Sequence, residues 1–62
     1  MYAEITKETF NAIVENEQNC FVSNTKKELS ETNTFFSKGV KLLTVVNFVS
    51  NTKQYYIQDI NA

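Results

Sequence analysis

Residues 40–49 carry apolar side chains on both phases of a two-residue alternation. Leu42, Val46 and Phe48 fall on one phase, and Leu43, Val45 and Val49 fall on the other. Successive side chains of a strand point to opposite faces, so this segment reads as a strand that is apolar on both. Residues 54–60 repeat the pattern, with Tyr55 and Ile57 on one face and Tyr56 and Ile60 on the other. Between the two stretches, Ser50-Asn51-Thr52-Lys53 is turn chemistry, because Asn tolerates a left-handed backbone and Ser and Thr bond locally. The pair predicts an antiparallel hairpin, although Asn-Gly, the favoured tight-turn dipeptide, is missing. An antiparallel sheet that leaves one face to water normally shows polar residues there, and this one does not. Each of its faces needs a cover.

Residues 6–18 supply the first cover. Thr6 is the expected N-cap, Glu8 sits in the first turn where the helix dipole favours a carboxylate, and Phe10, Ile13 and Val14 form one apolar stripe. Lys7, Asn11, Glu15 and Gln18 line the opposite side, as expected of a helix packed on a core. Residues 20–24 read as a short strand or a loop. Thr25 followed three residues later by Glu28 matches a capping box and predicts a second, weaker helix over residues 26–37. Leu29, Thr32, Phe35 and Phe36 would be its sparse apolar face and Gly39 its C-terminal cap. The rival reading makes residues 32–37 a strand, since Thr and Phe favour pleated structure. The expected fold is α+β in a single small domain, residues 1–62. It comprises an amphipathic N-terminal helix, a weaker second helix and a C-terminal antiparallel β-hairpin forming a small sheet.

One hexapeptide, Phe-Val-Ser-Asn-Thr-Lys, occurs at residues 21–26 and again at 48–53. The flanking residues do not align, so no repeat architecture is implied. Both copies are expected to end a strand and begin a turn or cap.

The length of 62 residues sets the stability problem. A chain this short buries only roughly 60% of the surface its unfolded form exposes. Such domains usually add disulfides, a metal or a partner. Cys20 is the only cysteine and histidine is absent, which excludes an internal disulfide and a zinc site of the usual Cys/His kind. A partner or self-association is then the expected supplement, with a homodimer one form of it. The lone Cys20 fits a reducing compartment, and beside Phe21 and Val22 it reads as a small core residue. No apolar run approaches the ~20 residues of a membrane span, and the N-terminus lacks the basic and apolar regions of a signal peptide. The expected location is cytoplasmic.

Catalytic apparatus is not visible. Without histidine the commonest general base is missing, and Glu15 and Glu17 stand two apart, on different sides of a helix. Gly39 is the only glycine, so no glycine-rich phosphate loop exists, and no Asp/Glu cluster has calcium-loop spacing. The chain reads as not an enzyme, with no cofactor and no metal. The net charge is −1, with acidic residues concentrated in the first 20 positions. No arginine is present, which weighs against nucleic acid. Phe48, Tyr55 and Tyr56 beside Lys41 and Lys53 keep a small dimeric nucleic-acid-binding regulator as the alternative reading. A structural subunit of a larger complex is a further alternative. The principal expectation is a non-catalytic protein-binding module, an inhibitor or adaptor occupying a surface of a larger protein. By analogy it is of the kind that phages and mobile elements direct against host or defence enzymes. Its partner-binding residues are expected to be Val45, Val49, Tyr55, Tyr56 and Lys53, with Phe48 in the core.

Overall fold

The computed structural model describes residues 1–58. Its elements are β1 (Tyr2–Ile5), α1 (Lys7–Ile13), α2 (Glu17–Cys20), β2 (Phe21–Lys26), β3 (Ser30–Ser37), β4 (Val40–Asn47) and β5 (Thr52–Gln58). The strands form one five-stranded sheet in the order β1-β5-β4-β3-β2. Every neighbouring pair is antiparallel. β2 to β5 run as a meander, while β1 lies on the far edge beside β5. The chain joining β1 to β2 therefore crosses from one edge of the sheet to the other, and it carries both helices.

This corrects the expected α+β arrangement of two helices and a hairpin. The fold is sheet-dominated, and its helices span only seven and four residues. Residues 25–37 form no helix. Thr25 pairs with Thr32 and Lys26 with Glu31, so the Thr25–Glu28 capping box goes unused. The physical reason is burial. A short helix draws its stability from packing an apolar face, and residues 26–37 offered only a sparse one. As a strand, the same residues place Phe35 directly opposite Leu42 in the core. The rival strand reading of residues 32–37 lies within β3.

Turn geometry follows the same logic. Lys38 and Gly39 link β3 to β4 with φ of 52° and 79°. Positive φ at both central residues is what a two-residue type I′ hairpin turn requires, and its twist suits the flanking strands. Gly39 thus closes a hairpin and caps no helix. Asn51 takes the left-handed conformation its residue type allows, at φ 58° in the β4–β5 turn. That hairpin is observed, with Leu42 and Val46 on one face and Leu43 and Val45 on the other, but its turn lies at residues 48–51 instead of the expected 50–53, so Thr52 and Lys53 belong to β5. Ile60 lies outside the described residues.

The N-terminal helix is shorter than expected. Thr6 caps it, its Oγ1 accepting from the Thr9 N–H at 3.1 Å. After Ile13 the backbone leaves the helix at Val14, and Asn16 starts a new turn by accepting from the Asn19 N–H at 3.2 Å. Asn competes for backbone donors in this way, which favours caps over helix interiors. The end of α1 is pinned to the β3–β4 turn. Ser37 Oγ donates to the Ile13 carbonyl at 2.8 Å, and Lys38 Nζ donates to the Ala12 carbonyl at 3.1 Å. These bonds satisfy carbonyls that a helix terminus leaves without partners. β1 was not foreseen, because four residues carry too short a pattern to read.

The core lies between the helices and one sheet face. Phe10, Val14, Phe35 and Leu42 are buried, and Ile5, Ile13, Cys20, Val40, Tyr55 and Ile57 pack around them. The Phe10 ring meets Phe35 edge-on at 5.5 Å and Tyr55 at 5.0 Å, distances at which aromatic pairs attract beyond simple burial. Phe10→Ala is expected to cost about 3–5 kcal/mol, a large part of the whole stability of a small domain. Urea titration followed by circular dichroism should find the variant largely unfolded without denaturant. Thr6→Ala removes only the cap, and the same titration should show a loss of about 1 kcal/mol with the sheet intact.

Candidate functional site: the uncovered sheet face

Strand register fixes which side chains share the face away from the helices. One row crosses all five strands as Glu4, Tyr56, Leu43, Thr34 and Ser23. The next runs Gln54, Val45, Thr32 and Thr25. Towards the β3–β4 turn, Phe36 stands beside Lys41. The core-side row is Ala3, Ile57, Leu42, Phe35 and Phe21. Leu43, Val45 and Tyr56 are half-buried by their neighbours alone, and Phe36 is exposed at 55%. The face thus has an apolar centre of Leu43, Val45 and Tyr56, an exposed phenylalanine, and a strip of hydroxyls on β2 and β3. Glu4 and Lys41 are the charges among the described residues whose register puts them here.

The five residues expected to bind a partner do not form one surface. Val45 and Tyr56 lie together on the open face, on adjacent strands. Tyr55 points the other way, under Phe10. Lys53 shares the side of Tyr55, its Nζ 5.4 Å from that ring. Val49 projects from the β4–β5 turn at 74% exposure. Phe48, expected in the core, lies in the same turn and is exposed, because β4 ends at Asn47. The Asn47 Oδ1 accepts from the Val49 and Ser50 N–H groups at 2.9 and 3.1 Å, a side-chain turn that ends the strand early. Phe36 and the row Thr25–Thr32 join the face only because residues 30–37 are a strand. The signal for the strand is the β-propensity of Thr and Phe at residues 32–37, which the capping-box match outweighs at the level of sequence.

Other candidate sites are weaker. A shallow groove of about 460 Å³ on the helix side is lined by Glu17, Gln18, Phe21, Asn33 and Phe35. It holds a single carboxylate and no second group for acid–base work. Among the described residues no three His, Cys, Asp or Glu side chains come close enough to hold a metal ion. Lys38 and Glu15 approach at 3.5 Å with both side chains largely exposed, a pair whose contribution is about 0–1 kcal/mol. Among the described residues no helix is long and apolar enough to cross a membrane.

In comparisons with known proteins, no family model, no curated protein and no solved structure matches the chain.

Proposed function

We propose that the chain is a non-catalytic protein-binding module that engages a larger protein through the uncovered face of its sheet. The observation that carries this reading is the apolar centre of Leu43, Val45 and Tyr56, with exposed Phe36 towards the β3–β4 turn, on the face that neither helix covers. A solvated face of an antiparallel sheet would alternate to polar residues at these positions. Aromatic and aliphatic groups at the centre, few charges, and a polar surround match the anatomy of protein interfaces. Covering such a face removes apolar area from water, at roughly 25 cal/mol per Å² before the costs of association. A flat face of this kind acts by occupancy, as an inhibitor or adaptor does. A cytoplasmic setting fits the single thiol, Cys20.

The test is affinity capture with tagged wild-type protein and with Tyr56→Ala, using Lys7→Gln, at an exposed position of α1 on the helix side, as a folded control altered away from this face. The wild type and the control should retain the same protein, and Tyr56→Ala should bind it at least about tenfold more weakly, equivalent to about 1.4 kcal/mol. Circular dichroism of Tyr56→Ala should match the wild type. Equal binding by a folded Tyr56→Ala removes this face from consideration. Retention of DNA or RNA that weakens steeply with salt would favour the nucleic-acid reading instead.

A further inference from the structure

The two edges of the sheet are unequal. β1 is four residues long, whereas β2 is six, and every residue of β2 is exposed. β2 contains no proline, and its one irregularity is a bulge between Phe21 and Ser23, so residues 23–26 are regular.

The direction of the free backbone groups on β2 follows from neighbouring hydrogen bonds. The Lys27 N–H donates to the Ser30 carbonyl at 2.8 Å. Antiparallel pairs alternate between those that exchange backbone bonds and those that do not. Counting back from Lys27 and Ser30, the pairs Thr25–Thr32 and Ser23–Thr34 exchange bonds, while Lys26–Glu31 and Asn24–Asn33 do not. The other side of β3 agrees. The Phe48 N–H donates to the Leu29 carbonyl at 3.0 Å, which places Glu31 in a bonded pair with Val46 and turns its backbone away from β2. The N–H and C=O groups of Asn24 and Lys26 therefore point out of the sheet, with no strand beside them among the described residues.

We propose that a second copy of this chain pairs antiparallel with β2 about a two-fold axis at Thr25, joining two five-stranded sheets into one. A two-fold perpendicular to the sheet keeps the helices of both copies on one side, so each residue must face one from the same side. Centred on Thr25, Asn24 meets Lys26 of the second copy twice over, and all the outward groups of these two residues are used in a bonded pair. This register stays clear of the bulge.

The side chains agree with it on both faces. On the open face Thr25 meets Thr25 of the other copy, a favoured cross-strand pair that continues the row from Val45 through Thr32. On the helix side, Asn24 already spends its Nδ2 hydrogens on Asn33 Oδ1 at 2.7 Å and Glu31 Oε2 at 3.1 Å. That fixes the amide and leaves its Oδ1 as an acceptor. The Lys26 ammonium makes no ion pair among the described residues, and in this register it comes opposite that oxygen. The bulge then limits pairing at one end of β2.

The experiment combines sedimentation velocity of the full chain over a concentration series with amide hydrogen exchange on the same samples. The expected result is a rise from 7.1 kDa to twice that mass. Protection of the Asn24 and Lys26 amides should grow with concentration, while Thr25, bonded within the monomer, is protected throughout. Asn24→Pro deletes an outward N–H and no backbone ladder bond, along with the side-chain bonds to Glu31 and Asn33, and should weaken the dimer at least tenfold, whereas Asn24→Ala, which loses the same side chain but keeps the N–H, should weaken it less. If the proline variant does not fold, exchange in the native chain decides the matter. A monomer at concentrations up to about 1 mM would overturn the proposal. So would a dimer whose Asn24 and Lys26 amides exchange as fast as in the dilute monomer.

Discussion

The structure depends on Phe10 reaching the middle of the sheet. β1 and β2 occupy opposite edges, four strand spacings apart, or roughly 19 Å at the usual inter-strand distance. The chain between them must cross that width over one face. Phe10 anchors the crossing, wedged against Phe35 of β3 and Tyr55 of β5 above the buried Leu42. Val14 extends the contact after the helix has ended, and the bonds from Ser37 and Lys38 hold the helix terminus over the β3–β4 turn. With four buried apolar residues at its centre, the domain has little redundancy. The placement of the helix and the identity of the covered face follow from this contact, while the order of β2 to β5 follows from their successive hairpins.

That contact also creates the asymmetry on which the functional reading rests. One crossing connection of seven- and four-residue helices can cover one face of a five-stranded sheet, and the other face is left with Leu43, Val45, Tyr56 and Phe36. The edges differ for a related reason. β5 is paired with β1, the strand from which the crossing starts, while β2 follows the crossing and has nothing beyond it among the described residues. The open face and the open edge meet along the threonines of β2 and β3. A partner on the apolar centre of the face and a second copy on the edge would therefore occupy adjoining surfaces that meet at Thr25.

Much of the local structure was legible from residue types. Thr6 as a cap, the Phe10–Val14 stripe, the β4–β5 hairpin and the left-handed Asn51 all follow from chemistry confined to a few neighbouring residues. The candidate face was only half legible. Alternation places Val45 and Tyr56 on it, whereas the parity of Tyr55 puts that ring on the opposite side, under Phe10. Phe36 and the threonines were hidden by a helix reading that a capping-box match made attractive. Propensity between residues 26 and 37 was balanced, and balanced propensities are decided by burial.

The hexapeptide Phe-Val-Ser-Asn-Thr-Lys shows the division most clearly. Its first copy is the whole of β2, with Asn24 extended and bonded to Glu31 and Asn33. Its second copy spans the β4–β5 turn and the first two residues of β5, with Asn51 left-handed. Identical local preferences thus yield a strand in one place and a turn in another. By itself, the sequence determined the alternation of β4, the Thr6 cap and the absence of histidine and of a second cysteine, all properties of single residues or near neighbours. Only the tertiary structure decided which copy became a strand, which face was covered and which edge stayed open. Those outcomes depend on Phe35 and Leu42 meeting under Phe10, a contact between residues distant in the chain whose burial outweighs small differences in local propensity.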